Sequence, residues 1–313
     1  MVTTREAAPA SREAGPAVGA GKQGAIELVR QTVTDTAQAD VPGLAAEMAH
    51  HSLFALFSFL LLLAGLVAVS DDVLGIQDMR ERLISSAQDV LPQNASAVVE
   101  GFLNDVVDSK GQGALVFGLF GVAWAGSNLV GSAMKGLNRI FRTKERRGFI
   151  QRKLLAIALA LVLGAMIVGA SVVIVFRGAF VDGLDDFIGR GAAELMMTAV
   201  VWPLALLVVA LAAAVLYWKG PDRDEAFRWV TPGALLFAAG WVVASIVASI
   251  YLSEAEPANR TYGLIVAVIA SIIWLYWSNL LFLAGAVLNA RLEDARTSRS
   301  SEQRTEQSAQ AQP

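Results

Sequence analysis

One uncharged stretch near the end of the chain decides the fold class: residues 263–290 read GLIVAVIASIIWLYWSNLLFLAGAVLNA. The stretch contains no Asp, Glu, Lys or Arg. It exceeds the roughly 20 residues that a helix needs to cross a hydrocarbon core of about 30 Å. A helix is favoured over a barrel strand because the stretch is continuously apolar, whereas barrel strands alternate polar and apolar residues over about ten positions. The sequence therefore predicts a membrane-spanning helix here.

Five further blocks without charged residues repeat this pattern. With the first, the predicted spans are Ser52–Ser70, Ala114–Met134, Leu154–Phe176, Ala199–Trp218, Gly233–Leu252 and Gly263–Ala290. Hydrophobic residues make up 55% of the 313 residues and charged residues 17%, whereas an ordinary soluble domain contains about 25% charged residues. A soluble core of a chain this long could not enclose six such helices. We therefore predict an all-α membrane protein with a bundle of six transmembrane helices.

The polar ends of the chain set the predicted domain limits. Residues 1–22 are rich in Ala, Gly, Pro and Thr, and residues 297–313 are strongly polar. Both are predicted to be disordered tails on the cytoplasmic side, which leaves residues 23–296 as the transmembrane domain. No apolar run precedes residue 41, so the first span, rather than a cleavable signal peptide, is expected to direct insertion.

Basic residues are divided unequally between the two sides of the predicted bundle. Of the 25 Lys and Arg residues, 19 fall before the first span, in the second and fourth connections and after the last span, and 6 fall in the other connections. The second connection is the densest, since eight basic residues lie from Lys135 to Lys153. By the positive-inside rule, this asymmetry predicts a multi-pass protein of the cell (inner) membrane with both termini in the cytoplasm.

The external connections contain amphipathic segments. Apolar residues recur at helical spacing in residues 98–107, and residues 83–91 and 180–188 show a similar pattern beside acidic residues. Such spacing is typical of helices with one apolar face. We expect short external helices, which either pack as simple connections or gate a cavity.

The predicted spans contain polar side chains but no charged residue in their middle. Charged residues in a span usually mark ion pathways, so their absence disfavours an ion-coupled pump. An amide in hydrocarbon needs a partner, so the three asparagines of the spans are expected to face the interior, where each either bonds a neighbouring helix or contacts a substrate. With two mid-span tryptophans, they form the candidate substrate-binding set: Trp124, Asn128, Trp274, Asn279 and Asn289.

The dense basic connection also suggests a lipid contact. Basic side chains near a bilayer surface attract anionic headgroups, although such residues often only determine topology. The candidate headgroup contacts are Arg139, Arg142, Arg146 and Arg147. Apart from the bilayer and these headgroups, no partner is predicted, and the formal net charge of −3 gives no argument for nucleic acid.

No catalytic or metal site is predicted. The chain has no cysteine and only two histidines, His50 and His51. Glu47 shares their helical turn, but no second cluster supplies the remaining ligands of a metal site. A Gly-rich phosphate loop, a GxSxG elbow and an HExxH motif are also absent. We therefore predict a protein without cofactor, metal or enzymatic chemistry.

Three segments resemble the YihY/virulence factor BrkB family. WAGSNLVGSAMKGLNRIFRTKERRGFIQRKL (residues 124–154) is similar to the family's second helix and basic loop. TPGALLFAAGWVVASIVASIYL (231–252) and TYGLIVAVIASIIWLYWSNLLFLAGAVLNARL (261–292) are similar to its last two helices. The matching positions are Trp124, Asn138, Arg147, Pro232, Gly233, Trp241, Tyr251, Tyr262, Gly263, Trp274, Gly285 and Asn289. The resemblance covers about residues 40–293.

The resemblance implies a six-helix inner-membrane protein with a role in transport or lipid translocation. This chain departs from the family pattern where Phe59 and Leu60 follow Ser58 instead of a proline, and where Val287 replaces a common acid. The family's older label, ribonuclease BN, finds no support among the residues. Our leading hypothesis is translocation or binding of a lipid or other amphipathic molecule. The alternatives are a scaffold of the cell envelope and a membrane-embedded hydrolase or nuclease.

Overall fold

The computed structural model describes residues 40–69, 79–90, 93–108, 112–223, 231–254 and 260–310. Within these ranges the chain is helical apart from short connections. The helices are α1 (Val41–Val69), α2 (Met79–Val90), α3 (Gln93–Asp108), α4 (Gln112–Ile140), α5 (Phe149–Val175), α6 (Arg177–Ile188), α7 (Arg190–Lys219), α8 (Pro232–Glu254) and α9 (Arg260–Gln310). The all-α prediction is confirmed.

Six of these helices are long and apolar enough to cross a membrane: α1, α4, α5, α7, α8 and α9. They correspond in order to the six predicted spans, but several extend further. Helix α1 begins at Val41, well before the predicted start at Ser52. Its added turns are helical because Val41, Leu44 and Met48 recur on one face and are buried in the bundle. Hydrocarbon length therefore sets a minimum for each helix, and packing extends it.

The six long helices form a closed ring in which each long helix packs against the next one along the chain. Helix α1 packs against α4 and α9, α4 against α5, α5 against α7, α7 against α8, and α8 against α9. The ring therefore joins the first helix of the chain to the last. The short helices lie between long ones in the chain, with α2 and α3 before α4 and with α6 before α7.

Small residues bring α1 and α4 into close contact. A Cβ added at Gly121 would lie 2.7 Å from the hydroxyl oxygen of Ser58, and one at Gly118 would lie 2.5 Å from the backbone nitrogen of Leu62. At Gly65 an added Cβ would overlap the backbone of Leu115. Three glycines thus let the two backbones approach, as is typical of helix pairs in membranes.

Buried apolar side chains concentrate at one end of the ring, which we call the basic end. Here α1 begins, α4 ends, α5 begins, α7 ends and α8 begins. Leu44, Leu137 and Leu283 are almost fully buried in the largest apolar cluster of the described residues, together with Tyr217 and Phe282. The opposite end carries α2, α3 and α6, and we call it the capped end.

The short helices at the capped end confirm the predicted amphipathic segments. Helix α3 packs against α1, α8 and α9, and its Leu103 is only 2% exposed. Helix α6 buries Val181, while Phe187 on the same helix is exposed. Their apolar residues at helical spacing face the bundle only in part.

The structure describes most of the predicted C-terminal tail but none of the predicted N-terminal tail. Helix α9 continues to Gln310, into residues 297–313 that were predicted to be a disordered tail. Helix-favouring Ala, Glu, Gln and Arg fill this segment, and no Gly or Pro interrupts it before Pro313. The predicted tail of residues 1–22 lies outside the described residues.

Candidate functional site

Asn289 joins α9 to the start of α8. Its Oδ1 accepts a hydrogen bond from the backbone N–H of Gly233 at 2.8 Å, and its Nδ2 donates to the Thr231 hydroxyl at 3.1 Å. The same hydroxyl accepts the N–H of Ala234 at 3.2 Å. These bonds satisfy N–H groups that every helix leaves open at its start. Asn289 therefore makes the interhelical bond that we expected as one of its two roles.

Asn279 and Trp274 are also occupied by neighbouring helices. The Nδ2 of Asn279 donates to the Ser52 hydroxyl of α1 at 3.0 Å and to the carbonyl of Leu275 at 2.8 Å. The indole nitrogen of Trp274 donates to the Ser245 hydroxyl of α8 at 3.2 Å. The Trp274 ring also lies 5.9 Å from that of Trp241. Both side chains hold α9 to the helices beside it.

Asn128 and Trp124 surround a lysine that lies just before a predicted span. The ammonium of Lys153 on α5 donates to the Ser127 hydroxyl at 2.8 Å and to Oδ1 of Asn128 at 2.9 Å. It also lies 5.0 Å from the centre of the Trp124 ring. The residue pattern assigned Lys153 to the basic connection, so sequence reasoning missed it. It is the fifth residue of α5, and this position in the sequence does not reveal which way its side chain extends.

The candidate substrate-binding residues thus do not form one site. Asn128 and Trp124 meet at the α4–α5 contact, Asn279 lies between α9 and α1, and Asn289 lies between α9 and α8. Of the five candidates, the pair at the α4–α5 contact is the one that includes a charged partner.

A polar network ties the basic connections together. Asn138 is 8% exposed, and its Oδ1 accepts the N–H of Asp222 at 2.8 Å while its Nδ2 donates to Glu145 at 2.9 Å. The Arg147 guanidinium donates to the carbonyl of Pro221 at 3.0 Å and lies 3.3 Å from the Asp222 carboxylate. The connection between α4 and α5 is therefore locked to the end of α7. The Arg147 side chain therefore binds other parts of the protein.

The other three candidate headgroup contacts remain at the surface. Arg139 lies 3.5 Å from the Asp40 carboxylate and is half exposed. The side chain of Arg142 is exposed, and its backbone has a φ of 54° where the chain leaves α4. The Arg146 side chain is exposed as well, although its backbone N–H bonds Asp222 at 2.6 Å. These three can meet headgroups, whereas Arg147 is engaged by the network.

A cavity of about 340 Å³ opens at the capped end between α2, the α5–α6 junction and α7. Its polar side contains Arg82, Ser85 and Arg177, and its apolar side contains Val201 and Trp202. Ligand pockets commonly enclose about 300–1,000 Å³ and combine apolar walls with a few polar groups. The cavity has the size and the mixed lining of a ligand site.

Two arginines of the cavity have no acidic partner among the described residues. Arg190 at the rim lies 3.7 Å from Asp182 and 3.3 Å from Glu194. In the described part of the chain, Arg82 and Arg177 have no carboxylate within 4.0 Å. The Arg82 guanidinium lies 5.6 Å from the Phe176 ring, and its buried Nε has no hydrogen-bond acceptor among the described groups. This lining can accept an anionic group.

Glu47, His50 and His51 lie near the start of α1, where Glu47 and His50 contact other residues. The Glu47 carboxylate bonds the Lys135 ammonium at 2.7 Å, and the His50 ring packs edge-on against Phe54. No three His, Cys, Asp or Glu side chains come together as a metal site in the residues that the structure describes. The two histidines therefore contribute to packing at the start of α1.

Comparison with known proteins decides the family. The model of the family described as virulence factor BrkB matches residues 32–310. The chain belongs to the virulence factor BrkB family. The resemblance seen in the residues is confirmed.

Curated relatives carry two kinds of name. The BrkB family chain is 30% identical over 252 residues to a protein of Bacillus subtilis named ribonuclease-like protein YfkH, which covers 79% of this chain and 88% of that protein. It is 25% identical to a UPF0761 membrane protein of Alteromonas mediterranea, over 80% of this chain and 82% of that protein. No solved structure matches the chain significantly. The first name describes a ribonuclease-like protein, and the second describes a membrane protein without naming an activity.

The structure describes both positions at which the sequence departs from the resemblance. Val287 is 3% exposed in the apolar cluster of the basic end, where a carboxylate would lose its hydration. Ser58 faces Gly121 across the close α1–α4 contact, and α1 continues as helix through Phe59 and Leu60. Both positions serve packing in this chain.

Proposed function

We propose that this BrkB family protein binds and translocates an amphipathic molecule, a lipid or a lipid-like compound, without enzymatic chemistry. The cavity at the capped end carries the proposal. Within the described residues, Arg82 and Arg177 have no acidic partner, and the other wall is apolar, so the cavity suits a ligand with an anionic head and a hydrocarbon body. A soluble metabolite would not use the apolar wall, and an ordinary acyl chain would not need the arginines.

The cavity is positioned to exchange ligand with the bilayer. Trp202 lines it and is 61% exposed at the bundle surface, and Leu206 and Leu207 one turn further along α7 are exposed as well. The side chains around the opening are thus ones that lipid tails contact. A lipid can enter from the side with its head towards Arg82 and its tails towards α7.

The distribution of basic residues supports an orientation for this protein. Because the sequence assigns 19 of 25 basic residues to the side of the basic end, we infer that this end and both termini lie in the cytoplasm of a cell whose inner membrane the protein spans. The cavity then faces outward. The locked connections of the basic end form a rigid base on the cytoplasmic side, against which the capped end can rearrange.

A non-enzymatic role is supported by the side chains that the structure brings together. The cavity contains arginines, serines and apolar residues, with Asp182 and Glu194 paired to Arg190. Hydrolysis of a phosphodiester needs a base or a metal to activate water, and both acids are already engaged. The ribonuclease-like name belongs to the Bacillus relative, and we do not extend it to this chain.

Purified protein in liposomes tests the proposal. Vesicles containing fluorescent phosphatidylglycerol are treated with a membrane-impermeant quencher, and the slow loss of protected signal reports transbilayer movement. Wild type is expected to accelerate this loss over empty vesicles. The double variant Arg82→Gln/Arg177→Gln is expected to reduce the rate at least about tenfold, because two charge-assisted hydrogen bonds are lost.

Lys144→Gln provides the matched control. It removes an exposed positive charge from the connection between α4 and α5, at the basic end, and should leave the rate unchanged. If wild-type vesicles equal empty vesicles for both phosphatidylglycerol and phosphatidylcholine, translocation is refuted and the scaffold alternative takes its place. If the double variant moves lipid as fast as wild type, the cavity is not the site of binding.

A further inference from the structure

Helix α6 and the first part of α7 form a helical hairpin at the capped end. Only Gly189 separates the two helices, and its φ of 79° is a conformation that favours glycine over other residues. Gly178 of α6 and Trp202 of α7 line the same cavity, so the two helices still lie side by side far from the turn. We call residues 177–202 the hairpin tip.

Helix α6 has two different faces. Val181 and Asp182 line the cavity. Phe180, Leu184 and Phe187 follow one another at steps of four and three residues, which places them together on another side of the helix. Phe180 is 52% exposed and Phe187 is 86% exposed. One face of α6 therefore borders the cavity, and the other, which we call the aromatic face, points away from the bundle.

The aromatic face continues the side of α5 that the bilayer covers. Val172 in the α5 span is 47% exposed, and Phe176 and Phe180 follow it at steps of four residues. The helical bonds run across the junction, since the N–H of Phe176 donates to the carbonyl of Val172 at 3.0 Å and the N–H of Phe180 to that of Phe176 at 3.2 Å. Leu195 and Trp202 are likewise both exposed along α7. The lipid-facing surface of the bundle therefore extends onto both helices of the hairpin tip.

Depth in the bilayer distinguishes an upright hairpin tip from a tilted one. The α5 span is predicted to end at Phe176, and Phe187 lies about 16 Å beyond it along the helix axis. The polar headgroup region adds only about 5–8 Å on each side of the hydrocarbon core. An upright hairpin tip would hold the Phe187 ring in water, where apolar surface is unfavourable. A tilted one would bring the ring to the bilayer surface.

Both helices of the hairpin have a weak point where the hairpin tip begins. Phe176 has a φ of −88° and a ψ of 4°, whereas the ψ of a regular α-helix is about −42°. Pro203 lies inside α7, has no N–H to donate to the helical ladder and favours a kink. Counted from the turn at Gly189, Phe176 is thirteen residues before and Pro203 fourteen residues after. The two weak points therefore lie at nearly the same height, and the hairpin tip can bend there as one unit.

We propose that the aromatic face of α6 docks on the bilayer surface at the capped end, with Phe180 and Phe187 at the boundary between headgroups and acyl chains. The hairpin tip reaches this surface by bending at Phe176 and Pro203. Lipid is the partner because the aromatic face continues a side of the protein that lipid already covers. The exposed carboxylate of Asp186, on another side of α6, stays in water, as in other amphipathic helices at membrane interfaces. This docking goes beyond the proposed function, since it requires neither a ligand in the cavity nor movement of lipid.

Spin-label accessibility in phosphatidylcholine nanodiscs measures the docking on the full chain. Because the chain has no cysteine, Phe187→Cys introduces a single site for a nitroxide label. Collisions of the label with oxygen, which concentrates in lipid, are compared with collisions with a water-soluble nickel chelate. The matched control is Asp186→Cys, at the same height on another side of α6. We expect the ratio of oxygen to nickel collisions to be at least about fivefold higher at position 187 than at position 186.

Two further variants test the site and the bend. A label at Phe180→Cys should show the same high ratio as one at position 187. Both aromatic side chains are exposed, so we expect the labelled variants to fold, and gel filtration checks this. Adding Pro203→Ala to Phe187→Cys restores a helical N–H to α7 and should keep the hairpin tip upright. The ratio at position 187 should then fall to that of position 186.

Each contrary result overturns a stated part of the proposal. Equal ratios at positions 186 and 187 in correctly folded protein would overturn docking on lipid. A label at position 187 that meets neither oxygen nor nickel, together with disulfide-linked dimers of unlabelled Phe187→Cys, would replace lipid by a second copy of the chain. A ratio that Pro203→Ala leaves unchanged would overturn the bend. A high ratio at position 187 in a protein that moves no lipid would support docking and refute translocation.

Discussion

The substitution Gly233→Ala, which adds one methyl group, is the sharpest test of the packing between the last two helices. A Cβ at Gly233 would overlap the carbonyl oxygen of Gly285 and lie 2.7 Å from the Nδ2 of Asn289. An ordinary contact between such atoms is about 3.5 Å, so α8 and α9 must move apart by about 1 Å. Both obstacles are held in place, one as backbone and the other by its two hydrogen bonds.

The expected loss of stability combines two effects. Overpacking in a rigid contact costs about 1–3 kcal/mol, and separation of the helices also breaks the bond from the Gly233 N–H to Asn289, at about 1–2 kcal/mol. Together they amount to about 3 kcal/mol, from which the usual helix gain of Gly to Ala, about 0.5–1 kcal/mol, is subtracted. We expect a net destabilisation of about 2–3 kcal/mol, which corresponds to a fall in Tm of about 5 °C or more.

Thermal unfolding in detergent, followed by tryptophan fluorescence, measures this change. The matched control is Gly169→Ala in the middle of α5, where an added Cβ would meet nothing within 4 Å. That variant should keep or slightly raise the wild-type Tm. The reasoning is refuted if Gly233→Ala unfolds within 1 °C of Gly169→Ala, because the close approach of α8 and α9 would then be absent in solution.

Two further predictions concern the basic end. Arg147→Lys should loosen the connection between α4 and α5, because a single ammonium cannot replace the contacts with the carbonyl of Pro221 and the carboxylate of Asp222. Limited trypsin digestion should cut this connection several-fold faster than in wild type. Equal cleavage rates would contradict the conclusion that Arg147 holds the connection to the end of α7. The chain has no cysteine, so the substitution Arg142→Cys introduces a single one. This cysteine should react with a membrane-impermeant maleimide only after cells are opened. Labelling in intact cells would show that the basic end faces outward and would refute the proposed orientation.

Much of the fold was predictable because a bilayer imposes a simple requirement. Every span must be apolar over about 20 residues and satisfy its own backbone bonds, so composition alone indicates the six helices and their helical class. The family followed from the residues of the last two helices, where Gly233, Gly285 and Asn289 form one contact. A motif that rests on such a contact keeps its spacing, and that spacing is visible in the sequence.

The candidate site was less predictable, because a basic side chain can serve several purposes. Arg146 and Arg147 are adjacent, yet the first is exposed and the second is bound by Asp222 and two carbonyls. Likewise, the sequence assigned Lys153 to the basic connection, whereas its ammonium bonds Ser127 and Asn128 of α4. The direction of a flexible side chain depends on partners from other helices, which no local pattern encodes.

The sequence by itself determined that this chain is a helical membrane protein of six spans, because hydrophobicity acts on each segment independently of the others. Only the tertiary structure decided that the ring closes α1 onto α9, that Gly233 cannot accept a methyl group whereas Gly169 can, and that Arg82 and Arg177 share a cavity. These features depend on distances between residues far apart in the chain. Such distances are set by the packing of whole helices.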